Sequence, residues 1–153
     1  MTEIRDVLKP AFINFDLQAA DKQAADKQAA ISELANTFVS EGVVTNESVY
    51  LKAVMKREEE STTGIGFGVA IPHGKSAAVT EPSLAFGRSQ IGIQYDSMDG
   101  KPVHLMFLIA VPETSNDEHL RILSKLSRKL MHEDVRQKLM TVTNIEEIYQ
   151  IFE

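Results

Sequence analysis

Val103–Val111 reads VHLMFLIAV, nine residues interrupted in apolar character only by His104. A bilayer span needs about 20 residues, so this run is too short to cross a membrane. It is also too continuously apolar to leave one face in water, which predicts a strand buried on both sides at the centre of a sheet. Asp99-Gly100 supplies a turn just before it. Working outward, Ser83–Arg88 and Gln90–Tyr95 read as further strands. Val69–Ile71 reads as a buried strand ending at Pro72, and Ala11–Leu17 as a first strand.

Between these runs the hydrophobic period changes from two to about 3.6. Ile31, Leu34, Ala35 and Phe38 share one face of a helix expected from Ala20 to Glu41, with Gly42 as its stop. A second helix is expected over Glu47–Glu59, capped by Thr45 or Asn46. A third begins at the Ser115–Glu118 capping box and carries Leu120, Leu123, Leu126 and Leu130. Shorter helices follow over Glu133–Met140 and Asn144–Phe152, the last opened by a Thr143–Glu146 box. Helices and strands thus alternate along the chain, the pattern of the α/β class. The five residues AADKQ occur twice, at Ala19–Gln23 and Ala24–Gln28, a local duplication whose loss should be tolerated because it leaves the Ile31–Phe38 stripe unchanged.

The 153 residues fit one domain, 1–153, with no Pro-, Gly- or Ser-rich linker to divide it. Hydrophobic residues make up 43% and charged residues 25%, enough for a real core. The absence of cysteine excludes disulfides, thiolate metal sites and a thiol nucleophile. A formal net charge of -6 disfavours nucleic acid as a partner. Met1–Arg5 leads into no apolar signal core, so direct membrane insertion, secretion and organelle import are not expected, and the cytoplasm is.

Without cysteine, chemistry near neutral pH falls to the four histidines. His104, inside a strand pattern, and His132, in a charged stretch, read as structural or surface residues. His73 ends an apolar strand between Pro72 and Gly74, a geometry that either presents the imidazole to another molecule or ties it to a neighbouring carbonyl. His119 falls in the first turn of a helix, where free N–H groups stabilise a phosphate, or it simply faces solvent. Arg57 ends a helix, where a cation is favourable in any case. Gly64-Ile65-Gly66-Phe67-Gly68 precedes a strand and lacks the Lys-Ser/Thr of a phosphate-binding loop, which argues against nucleotide. A metal held by His73, His104 and His119 is disfavoured, because no pair of histidines stands at helical ligand spacing.

Glu58–Gly74, EEESTTGIGFGVAIPHG, followed by Lys75, resembles the active-site signature of phosphoenolpyruvate-dependent sugar phosphotransferase-system IIA components of type 2, the fructose/mannitol class. In that signature a carboxylate or amide stands fifteen residues before the phosphorylated histidine, the separation of Glu58 and His73. Arg57 resembles the family's active-site arginine, and Pro112–Leu126 (PETSNDEHLRILSKL) the segment that carries its second histidine, here His119. Asp99–Val103 is similar to the fructose branch and its nitrogen-regulatory cousin.

The resemblance implies a three-layer α/β/α sandwich with a small mixed β-sheet, and a phosphotransferase that needs no cofactor and no metal. It implies that His73 accepts phosphate from the phosphohistidine of HPr, through Nε2, and passes it to a cysteine of a IIB component coupled to a membrane IIC component. Since this chain has no cysteine, that acceptor lies elsewhere. Arg57 and the turn carrying His119 would stabilise the phosphoryl oxygens. Thr62 and Thr63, with Ser61, are candidate phosphate donors or turn formers, and Gly74 would leave room for the incoming molecule. HPr and IIB would use one patch around His73, with Ile65 and Phe67 as its dry part. The alternatives are a regulatory module of the nitrogen-related branch signalling through the same histidine, and a ligand-binding α/β domain without phosphate chemistry.

Overall fold

The computed structural model describes residues 3–18, 26–115 and 117–153, with the backbone alone at 118. Its organising element is β6 (Val103–Pro112), with residues from Leu105 to Val111 at most 2% exposed. β5 (Ser83–Ile93) runs antiparallel along one side, and β1 (Leu8–Asn14) lies parallel to β5. On the other side β3 (Val69–Ala70) and β4 (His73–Ser76) both pair parallel with β6, and β2 (Gly64–Gly66) closes that edge antiparallel to β3. The result is the expected mixed sheet, six-stranded and open.

Helices cover the sheet in the α/β/α arrangement that the resemblance implies. α2 (Lys27–Ser40) and α3 (Glu47–Glu60) pack with each other and against β4 and β5. Their side of the core holds Phe12, Phe38 and Tyr50 in edge-to-face contact, and the Tyr50 hydroxyl donates to the Ile109 carbonyl at 2.9 Å. α4 (Glu118–Leu130), α5 (Glu133–Thr141) and α6 (Ile145–Phe152) form the other layer, where Phe152 meets Phe107 at 5.9 Å. A short α1 (Ile4–Val7), which no sequence signal announced, precedes β1. Among the described residues no helix is long and apolar enough to cross a membrane.

Several boundaries differ from those read in the sequence. α2 starts at Lys27 because Asp26 is extended and caps it, its side chain accepting from the Ala29 N–H at 2.9 Å. Residues 19–25, with the first AADKQ copy, lie outside the described residues. At α4 the cap position belongs to Asp117, not Ser115, and the Asp117 side chain makes no capping bond. The last helix is capped one residue later than expected. Asn144 accepts from the Glu147 N–H, and the Glu147 carboxylate reaches back to the Thr143 N–H at 3.3 Å. The strand expected to stop at Pro72 is only interrupted there, since proline has no N–H for the ladder, and it resumes as β4. The two strands expected between Ser83 and Tyr95 are one, bent where the Ser89 hydroxyl accepts from the Gly92 N–H at 3.0 Å.

Candidate functional site

α3, β4 and the start of α4 converge on a cleft of about 590 Å³ lined by Lys56, Arg57, His73, Lys75, His119 and Leu120, among others. Each element places its residue for a local reason. His73 opens β4 opposite Ile109, immediately after the proline break. Arg57 lies in the last turn of α3, and its guanidinium donates to the Ser61 carbonyl at 2.9 Å. His119 is the second residue of α4, within the first turn and its free N–H groups.

The His73 Nδ1 lies 3.0 Å from the Ile71 carbonyl oxygen. A carbonyl only accepts, so Nδ1 carries the proton and the Nε2 lone pair is left available. Of the two alternatives open for His73, the bond to a carbonyl is formed, and it leaves the second ring nitrogen without that tie. The His119 ring stacks beside it, with centroids 6.1 Å apart and planes 27° from parallel. Burial holds the His119 pKa below the usual imidazole value, and the nearby His73 and Lys75 push it the same way against the pull of Asp117. Its Nδ1 is buried with no hydrogen-bond partner among the described residues. Three cations, Lys56, Arg57 and Lys75, face one lining carboxylate, Glu60, in a chain of net charge -6. Positive potential is thus concentrated where the two imidazoles meet, a setting suited to a multiply charged anion.

The structure brings Arg57, His73, Gly74 and His119 together and leaves Thr62 and Thr63 outside the cleft lining. The Thr62 hydroxyl accepts from the Gly64 N–H at 3.1 Å, the turn-forming alternative. Thr63 is buried, its hydroxyl between Glu58 and Tyr95. Gly74 is needed by the fold itself, since a Cβ there would stand 2.7 Å from the Val54 side chain and 3.2 Å from its backbone nitrogen. Ile65 and Phe67 do not border His73. Their hairpin joins β6 at Leu105, and β6 rises ~13 Å from there to the level of His73 at ~3.3 Å per residue. The apolar residues beside His73 are Ala53, Leu120 and Leu123, with Leu120 52% exposed. Sequence reasoning passed over Lys56 and Lys75, because exposed lysines carry no positional signal. His104 donates through Nδ1 to the Ser89 carbonyl at 2.8 Å, on the far part of β6, so the three-histidine metal arrangement does not form. His132 precedes α5 and is exposed.

Residues 11–153 match the family described as phosphoenolpyruvate-dependent sugar phosphotransferase system, EIIA 2. The chain belongs to that family, whose members carry phosphate in phosphotransfer. A fructose-specific EIIA component of Haloferax volcanii is 46% identical over 121 residues, covering 79% of each chain. A fructose-specific EIIABC component of Bacillus subtilis is 41% identical over 97% of this chain, which spans 23% of that longer protein. Among solved structures, the nitrogen regulatory protein IIA-Ntr of Neisseria meningitidis superposes with a TM-score of 0.83 at 34% identity, covering 97% of both chains.

Proposed function

We propose that this chain is a sugar-uptake phosphocarrier in which His73 accepts phosphate from phosphorylated HPr and passes it to a cysteine of a IIB component. The observation that carries this reading is the His73 Nδ1–H bond to Ile71, which fixes the ring with Nε2 free beside a cationic cleft. In the forward step the Nε2 lone pair forms the new N–P bond while the N–P bond of the donor imidazole breaks, its electron pair returning to the donor ring. In the second step an acceptor thiolate takes the phosphoryl group and His73 Nε2 regains its lone pair. The proton stays on Nδ1, donated to the Ile71 carbonyl, throughout, so the ring needs no reorientation between steps.

The protein's part is positioning and charge. Arg57, with Lys56 and Lys75 near it, faces the phosphoryl oxygens, and the first-turn N–H groups of α4 at His119 face them from the other side. The fructose-specific names of the Haloferax and Bacillus relatives support a sugar-uptake role, and the latter's EIIABC name supports a IIB partner. A second reading, a regulator of the nitrogen-related branch using the same phosphohistidine, is favoured by the Neisseria likeness. Incubation with phosphoenolpyruvate, enzyme I and HPr, followed by candidate IIB proteins, tests both. Labelling at His73 that drains rapidly to a IIB cysteine is expected. Stable labelling that no IIB removes would select the regulatory reading, and no labelling would reject both.

A further inference from the structure

Directly behind the cleft, on the core side of α3, lies a second polar group that the phosphate chemistry does not touch. Glu58 is 6% exposed. Its carboxylate accepts from the Thr63 N–H at 3.1 Å, from the Thr63 hydroxyl, and from the Tyr95 hydroxyl at 3.0 Å. Lys27 pairs with it at 3.0 Å and lies 4.8 Å over the Tyr95 ring. A carboxylate offers about four lone-pair sites, and here four donors fill them.

A buried ion pair adds little net stability compared with apolar side chains of equal volume, so stability alone does not account for this one. Its placement does. Arg57 and Glu58 are consecutive, about 100° apart around α3, so one meets the cleft and the other the core. α3 ends at Ser61 in extended backbone, without the left-handed glycine that closes many helices. Side chains hold this end instead. Arg57 grips the Ser61 carbonyl, while Glu58 grips both the N–H and the hydroxyl of Thr63. Lys27 from the first turn of α2 and Tyr95 from beyond β5 then lock Glu58 in place. Burial and the Glu58 carboxylate push the Tyr95 hydroxyl to a high pKa, and the Arg57 charge acts on it in the opposite sense, so the two groups are electrostatically linked.

We infer that Glu58, locked by Lys27, Thr63 and Tyr95, is a positioning residue that fixes the last turn of α3 and thereby sets Arg57 for phosphoryl transfer. This rests on the proposed function, and it gives the carboxylate of the signature a role remote from the phosphorus atom.

The test is single-turnover phosphorylation of the full chain by phosphorylated HPr at varied donor concentration. It compares wild type with Glu58→Gln, Tyr95→Phe, Arg57→Ala and the Arg57→Ala/Glu58→Gln double variant. A misplacement near 1 Å can cost about 100-fold, so Glu58→Gln and Tyr95→Phe should lower the maximal rate by about 10-fold or more with half-saturation unchanged. In the Arg57→Ala background, Glu58→Gln should change the rate by less than about 2-fold, because residues acting through one another are not additive. A purely structural role would leave the two losses multiplicative, and that result would overturn the inference. Wild-type rates in folded Glu58→Gln and Tyr95→Phe would overturn it equally. Tyr95→Phe removes a single oxygen and keeps the buried ring, so it remains informative if Glu58→Gln folds poorly. Absence of His73 labelling in the wild-type chain would instead reject the proposed function, before any variant is compared.

Discussion

The cleft at His73 and the cluster at Glu58 lie back to back across the last turn of α3, and they treat polar groups in opposite ways. In the cluster every lone pair of the carboxylate has a donor supplied by the chain itself. In the cleft the His119 Nδ1 has no partner among the described residues, and three cations face a single carboxylate. The difference teaches how one helix end serves two purposes. Saturated hydrogen bonding makes a back wall, and in front of it stands an incompletely satisfied cationic surface, which under the proposed function a phosphoryl group completes.

The sharpest way to break this contrast is His73→Ala. Complete loss of phosphate labelling by phosphorylated HPr is expected with the unfolding transition preserved, and full labelling would remove His73 as the acceptor. On the opposite side of the wall, Glu58→Ala should cost about 3 to 5 kcal/mol of stability, since it strands the Lys27 charge. Lys75→Ala in the exposed cleft should stay within about 0.5 kcal/mol. Urea denaturation compares the two, and equal losses would erase the distinction between wall and surface.

Arg57→Ala should slow transfer by about 100- to 1000-fold, the usual effect of removing one oxyanion-stabilising group. His119→Ala should slow it less because the first-turn N–H groups of α4 remain, with melting little changed in both. Stopped-flow transfer rates near wild type would return both residues to a surface role. Gly74→Ala sharpens the contrast from a different direction. Its Cβ would press on Val54 and Tyr50 of α3, so a stability loss of about 1 to 3 kcal/mol is expected, with transfer altered because α3 carries Arg57.

The smallest expected effect is pH dependence from His119. Its folded pKa is lowered by burial and by His73 and Lys75, whereas the unfolded imidazole titrates near ~6.5. Between those values the unfolded chain binds more protons. The stability contributed by this group is therefore complete above ~6.5 and is lost as pH falls through the folded value. Denaturation midpoints should decline over that window in the wild type and decline less in His119→Ala. A phosphoryl group on His73 should raise the His119 pKa by adding negative charge, which an NMR titration of the ring would detect.

How much of this was legible in the sequence depended on whether the signal was local. Val103–Val111 announced the central strand because a strand buried on both faces must be apolar throughout. The spacing of Glu58 and His73 in a recognisable signature made the family legible. Asp26 was harder to read, since two copies of AADKQ offer two equivalent caps in the sequence, and it is Asp26 that caps α2. Pro72 was read as a terminator because the sequence does not reveal that β6 keeps pairing on either side of it. Thr63 illustrates the general difficulty at the site. A hydroxyl beside glycines looks available for phosphate, and only Tyr95, from a distant segment, shows that it is engaged in the wall.

The hydroxyl of Tyr149 donates to the carbonyl of Leu8 at 2.5 Å across 141 positions of sequence, and Leu8 itself is paired with Leu84. Contacts of such separation are slow to form, because the entropy of closing the intervening loop is lost before the contact is made. The hairpin-like pairing of β5 with β6 is local by comparison and can form early. The β1 edge and α6 are then expected to be recruited last. An amide exchange-labelling experiment during refolding would see protection reach β6 before β1, so the segment bearing His73, which pairs with β6, is assembled ahead of the edge that seals the fold.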